Sequence, residues 1–262
     1  MNLQTISGIS ILGMFFTLAV SIGIPVALLL YLYIRKRAKI TSFFIGAGVF
    51  FVMAMVLEQT LHVAVLSAAK EELTANIWAF AAYGGLAAAL FEETGRYIAM
   101  RYLMKKNLDT ENALMYGAGH GGFEAILIVG MMYINNIVMS IMINTGGMES
   151  TLMALDEEVR EVTIQQLSAL WTTPDYVFYL SGVERLCAIV LQIALSILMY
   201  CGVRYGRKVY VALAFGIHFL VDFITVLSAD YMELVLVEGI VIVLTVLTAA
   251  LTYRIWKGEV AK

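Results

Sequence analysis

Residues 77–106 read IWAFAAYGGLAAALFEETGRYIAMRYLMKK. No charge interrupts the run from Ile77 to Phe91. Glu92, Glu93 and Arg96 then fall inside the same apolar stretch, before Arg101, Lys105 and Lys106 close it. A bilayer core of about 30 Å takes roughly 20 helical residues at 1.5 Å each, so this stretch is long enough to cross. Its ionisable groups then lie where each charge costs at least ~2.5 kcal/mol. A chain that keeps such groups is expected to use them.

Similar stretches flank it on both sides. Ser7–Ile34, Ile40–Leu66, Asn76–Met104, Ala113–Asn136, Val177–Val203, Val209–Ser228 and Tyr231–Trp256 give seven predicted spans. Of the 262 residues 61% are hydrophobic and 14% charged, against about 45–50% and 25% in soluble domains. The expected fold class is all-α, a polytopic membrane helical bundle forming a single membrane domain over residues 1–262. A multi-pass protein of the cell membrane, of the bacterial plasma membrane type, is the expected setting. The first basic residue is Arg35, so the N-terminal stretch lacks a signal peptide's basic start and reads as a retained span. A net charge of −3 gives no reason to expect nucleic acid. Cys187 and Cys201 form neither a CxxC pair nor a disulfide framework.

The basic residues orient the chain. All of the 17 except Lys70, Arg96, Arg160 and Arg185 fall at alternate span ends: Arg35 to Lys39, Arg101 to Lys106, Arg204 to Lys208, and Arg254 to Lys262. The positive-inside rule then places the N-terminus outside and the C-terminus in the cytoplasm. The longest connection, Ile137–Tyr176, lies outside, and its 144–175 part reads as an extracytoplasmic connection with an amphipathic helix. There Leu152, Leu155, Val159, Val162 and Leu170 recur at helical spacing among Asp156, Glu157, Glu158 and Glu161.

Intramembrane polar residues recur in two more spans, as His120 with Glu124 and His218 with Asp222. Glu92 precedes Arg101 by nine residues, His120 follows Glu111 by nine, and His218 follows Lys208 by ten. Each is then about 14 Å from the cytoplasmic surface, which puts all three in one layer. Glu92 and Arg96, His120 and Glu124, and His218 and Asp222 are each four apart and share a helix face. Glycines surround them, notably Gly117 to Gly122, and allow close helix approach or leave room for a wet pocket. Glu58 and His62 also lie four apart, but Glu58 is 19 residues past Lys39, so this pair is expected near the outer interface.

A buried carboxylate with two imidazoles suits the activation of water. The same groups, Glu92, His120 and His218, suit zinc with an open position for water. No HExxH occurs.

Phe91-Glu92-Glu93-Thr94-Gly95-Arg96, Gly119-His120-Gly121-Gly122-Phe123-Glu124 and His218-Phe219-Leu220-Val221-Asp222 resemble the three motifs of the YhfC-type intramembrane proteases. These are relatives of the type II CAAX prenyl endopeptidases and their bacterial CPBP (Abi) homologues. The resemblance implies that Glu92, first of the pair with Glu93, activates water with His120, and that His218 and Asp222 hold the oxyanion. Arg96 and Glu124 would support them. Two positions depart from the larger group: Arg96 follows Glu93 by three residues where its pattern has four, and Tyr116 stands at its Phe position. An ionised Asp222 would repel an oxyanion, so it is expected to orient His218 through a ring nitrogen.

The expected function is therefore an intramembrane peptidase of metalloendopeptidase or glutamate type. Its partners would be the lipid bilayer and a membrane-anchored peptide or protein substrate. A proton-coupled transporter is the alternative, since Glu, His and Asp also build proton relays; no internal repeat supports it. An inactive membrane scaffold is the third.

Overall fold

The computed structural model describes residues 3–261; Lys262, counted above among the basic residues, lies outside them. Among the described residues the regular structure is helical throughout. The helices are α1 (Gly8–Ile34), α2 (Ile40–Thr74), α3 (Ile77–Ile98), α4 (Thr110–Asn144), α5 (Gly147–Met153), α6 (Glu157–Thr172), α7 (Asp175–Arg204), α8 (Lys208–Tyr231) and α9 (Leu234–Val260). Their ends follow local chemistry. The Ser7 hydroxyl accepts from Ser10 N (2.9 Å) at the start of α1, and the Asn76 side chain accepts from Trp78 N (3.1 Å) at the start of α3. Gly206, at φ +66°, makes the turn between α7 and α8 where a side chain would be strained.

Among the described residues six helices, α1, α2, α4, α7, α8 and α9, are long and apolar enough to cross a membrane. The protein is a multi-pass membrane protein. The seventh expected span falls on the 22-residue α3, which is not one of these six. Glu92, Glu93 and Arg96 lower its apolar content, so counting it as a crossing rests on the sequence argument. Several helices outrun the spans expected from hydropathy: α2 continues to Thr74 and α4 covers Thr110–Asn144. In α4 helical hydrogen bonding does not stop where the apolar run stops, whereas α2 bends at Ala69 (φ −142°, ψ 30°), three residues past Leu66. Within these rods Ala19–Gly23 in α1, Phe51–Glu58 in α2 and Ala125–Gly130 in α4 wind as π-helix, and Ala99–Leu103 does so directly after α3. Such stretches are often found beside functional groups.

The chain forms two compact units. One comprises the residues up to Ile24 together with Ala125–Leu186. Its core holds Met14, Tyr133, Ile137, Leu152, Leu170 and Phe178. The Asn144 side chain accepts from Ile6 N (2.8 Å) and donates to Ile6 O (2.9 Å). Gly13 faces the Tyr179 ring and Gly182 faces Phe16 and Thr17, so α1 and α7 approach closely. The expected amphipathic helix is α5 and α6. Leu152 is buried on α5 and Leu170 on α6, beside Ile164, Leu167 and Trp171. Val159 and Val162 are each 51% exposed. The apolar stripe breaks at Ala154–Asp156, and the buried face of α6 is set by residues further along.

The other unit comprises Pro25–Glu124 and the chain from Cys187 onward. Here helix contacts are close enough to need glycine. A Cβ on Gly119 would strike the Phe43 carbonyl oxygen, and one on Gly46 would strike Tyr116 O, so α2 and α4 meet backbone to backbone. Gly117 and Gly121 seat α4 against Ile193 and Gln192 of α7, and Gly122 faces Pro25. Gly85 of α3 meets the backbone of Phe219 and Phe223 on α8, whereas Gly84 has open space beside it. Glycine in the 117–122 run is therefore used for packing.

Candidate active site

Helix α3 presents Glu92, Glu93 and Arg96 on buried faces. Gly95 allows Val49 and Met53 of α2 to press against it, and Gly85 does the same for α8. Residues of α4, α7 and α8 thereby come within hydrogen-bond reach of all three side chains.

His120 of α4 is fully buried, and its Nε2 lies 2.8 Å from Glu92 Oε2. Phe50 stands edge-on to the imidazole, with ring centroids 5.3 Å apart. The same Glu92 oxygen accepts a hydrogen bond from Gln192 Nε2 (3.0 Å). Both of these contacts fall on the same carboxylate oxygen, Oε2. Gln192 Nε2 also donates to Glu124 Oε2 (3.0 Å), while Gln192 Oε1 accepts from Arg96. Arg96 in turn donates to Glu93. Glu93 Oε1 lies 2.8 Å from His218 Nδ1. The other ring nitrogen, His218 Nε2, is 3.6 Å from Asp222 Oδ2, which is an ion-pair distance and too long for a hydrogen bond. Glu92 and His218 interact electrostatically across the cluster.

The predicted residues Glu92, Glu93, Arg96, His120, Glu124, His218 and Asp222 thus meet in one network drawn from four helices. Its internal wiring differs from the expected four-residue pairs. Arg96 binds Glu93 and Gln192 in place of Glu92. His120 reaches across to Glu92, and Glu124 accepts from Gln192. Glu93 is the carboxylate that orients His218, the role expected of Asp222. A partner on a neighbouring helix competes well with one a turn away once both are buried, although Glu93 Oε2, Arg96 Nε and His120 Nδ1 are left without a hydrogen-bond partner.

Sequence reading missed one member. Gln192 lies in an apolar segment and carries no charge, so nothing marked it. Its only local signal is a polar side chain well inside a predicted span. Glu58, expected near the outer interface, is buried and interacts electrostatically with Glu92, Glu124, His218 and Asp222, so it lies beside the network. An apolar cavity of about 250 Å³ lies elsewhere, lined by Leu114, Ile193, Ala194, Tyr253 and Trp256 among others, and none of the site's carboxylates or imidazoles lines it.

These features define a class: a multi-pass helical membrane protein with a buried carboxylate–imidazole centre. The chain belongs to the family described as YhfC intramembrane metalloprotease, whose model matches residues 20–244. It is also 38% identical over 205 residues to the Bacillus subtilis (strain 168) protein named "Uncharacterized membrane protein YhfC", covering 77% of this chain and 78% of that one. No solved structure matches the chain.

The family's description implies a metal. A catalytic zinc takes three protein ligands and an open position. Among the described residues no group of three His, Cys, Asp or Glu side chains is placed to hold an ion. His120 Nε2 is on Glu92, and the two nitrogens of His218 face Glu93 and Asp222. The set Glu92, His120 and His218 proposed from sequence for zinc therefore does not fit as arranged, and no step below runs through a metal.

Proposed function

We propose that the chain is an intramembrane peptidase that cleaves a peptide bond of a membrane-anchored substrate with water activated at Glu92. The observation that carries this reading is the double commitment of Glu92 Oε2 to His120 and Gln192, which fixes the carboxylate. Glu92 takes a proton from water as the water oxygen adds to the scissile carbonyl carbon. The proton then passes to the leaving nitrogen as the C–N bond breaks, giving a carboxylic acid, which ionises to water, and an amine. His120 positions the base. His218, held through Nδ1 by Glu93, offers Nε2–H to the oxyanion when the ring is protonated, with Asp222 balancing that charge. Arg96 and Gln192 tie the Glu92 and Glu93 halves together.

The test is purified protein in liposomes with membrane-anchored fluorogenic peptides. Glu92→Gln and His120→Ala are each expected to lower the cleavage rate by roughly 10²–10⁴-fold. Cleavage at the wild-type rate by either variant would end the assignment.

A further inference from the structure

Two polar residues of α2 lie beside the network. Glu58 closes the π-helical stretch, and its carboxylate is 3.2 Å from His62 Nε2. His62 Nδ1 is 2.7 Å from the Tyr83 hydroxyl of α3. Glu58 also interacts electrostatically with Glu92 and Asp222.

Contacts along the helices fix the direction of this line. On α3, Tyr83 meets His62 while Gly95 meets Val49 and Met53, so α2 and α3 are antiparallel and Glu58 faces α3 between those points. Gly85 meets Phe219 and Phe223 while Glu93 meets His218, so α8 also opposes α3. Asp222 therefore lies on the side of His218 nearer the turn between α2 and α3. Tyr83 is seven residues past the Asn76 cap, about 10 Å from that turn.

Exposure follows the same direction. Asp222 keeps 33% of its side-chain surface and His62 23%, against 9% for Glu58 and Glu92, which lie deeper, and 4% for His218. Arg96 and His120 keep none. Beyond Arg96, toward Arg101, the way is closed by Ala99, Met100, Met104 and Tyr116, all 0–1% exposed in one apolar core. A carboxylate one-third exposed inside a membrane bundle must be met by water or a polar ligand, since lipid offers neither.

We propose that Tyr83, His62, Glu58 and Asp222 form a polar entrance through which water reaches Glu92 from the α2–α3 turn side, with the Arg101–Lys106 side sealed. The proposal rests on the peptidase reading only for what that water does at Glu92. It would make membrane segments approachable from the α2–α3 turn side the class of substrate this site can take.

The experiment is cysteine accessibility in the full chain with Cys187→Ser and Cys201→Ser. Tyr83→Cys, Asp222→Cys and Met100→Cys are treated with a membrane-impermeant methanethiosulfonate from either face of the membrane, in intact cells and in inverted vesicles. Lys70→Cys reports the α2–α3 turn face and Lys105→Cys the opposite one. Tyr83→Cys and Asp222→Cys are expected to label only from the face that labels Lys70→Cys, and Met100→Cys from neither. Labelling of either entrance position from the Lys105→Cys face, or from no face, overturns the proposal. If Asp222→Cys is not produced in folded form, Tyr83→Cys decides alone. Labelling needs no activity, so a failed cleavage assay would fail the peptidase reading without touching this result.

Discussion

Gly119→Ala is the sharpest test of how the site is held together. A Cβ there would collide with the Phe43 carbonyl oxygen and sit 2.8 Å from Phe43 Cα. Those are backbone atoms of α2 and cannot turn aside as a side chain would, so α2 and α4 must separate. Inserting a methyl group into a filled contact costs about 1–3 kcal/mol, and immovable neighbours put this case at the upper end. Helix preference for Ala over Gly returns ~0.5–1 kcal/mol, leaving a net loss of about 2 kcal/mol. Gly48→Ala, on the same α2 helix, meets nothing within 4 Å. It keeps the gain of ~0.5–1 kcal/mol without the clash. The gap between the two variants is then roughly 3 kcal/mol, or about 6–12 °C in Tm for a chain of this size. Thermal unfolding of both in one detergent, followed by size-exclusion chromatography, reads it. Gly46 also contacts His120 N, so the same displacement loosens the imidazole and should lower any cleavage activity. Equal melting temperatures for the two variants would refute backbone contact between α2 and α4 as the source of rigidity.

Two further outcomes follow from the network. Arg96→Met removes the cation from Glu93 in a fully buried setting, which should destabilise by about 3–5 kcal/mol. Adding Glu93→Gln should recover part of that loss, and additive thermal shifts in the double variant would contradict a direct pair. Gln192→Leu strips the Nε2 donor from Glu92 and Glu124. It should lower kcat by roughly tenfold or more while leaving KM nearly unchanged, because Gln192 positions the base without touching substrate; a change confined to KM in steady-state cleavage would remove it from that role.

The fold was legible in the sequence because lipid imposes one strong rule. A spanning segment needs about 20 apolar residues, so α1, α2, α4, α7, α8 and α9 stand out whatever their neighbours are. The cost of charge in that medium marked Glu92, Glu93, Arg96, His120, His218 and Asp222 as a group, and a common depth suggested that they meet. Partner choice was not legible. Helical spacing puts Glu92 with Arg96 and His120 with Glu124, and the folded chain uses neither pair, because the glycine contacts bring α4, α7 and α8 close enough to offer better-aligned partners. Gln192 shows the limit most clearly. An uncharged amide costs less in a span than a carboxylate and raises no alarm there. Yet it accepts from Arg96 and donates to two carboxylates, which is something no charged side chain could do, since a Lys or Arg only donates and a Glu only accepts. The residue that joins the two acidic halves had to be of a type that charge counting ignores. Searching for it from sequence would mean asking which uncharged polar residues sit deep in spans that face a charged helix. Facing is a property of packing, and the glycines that set it are read only once their neighbours are known.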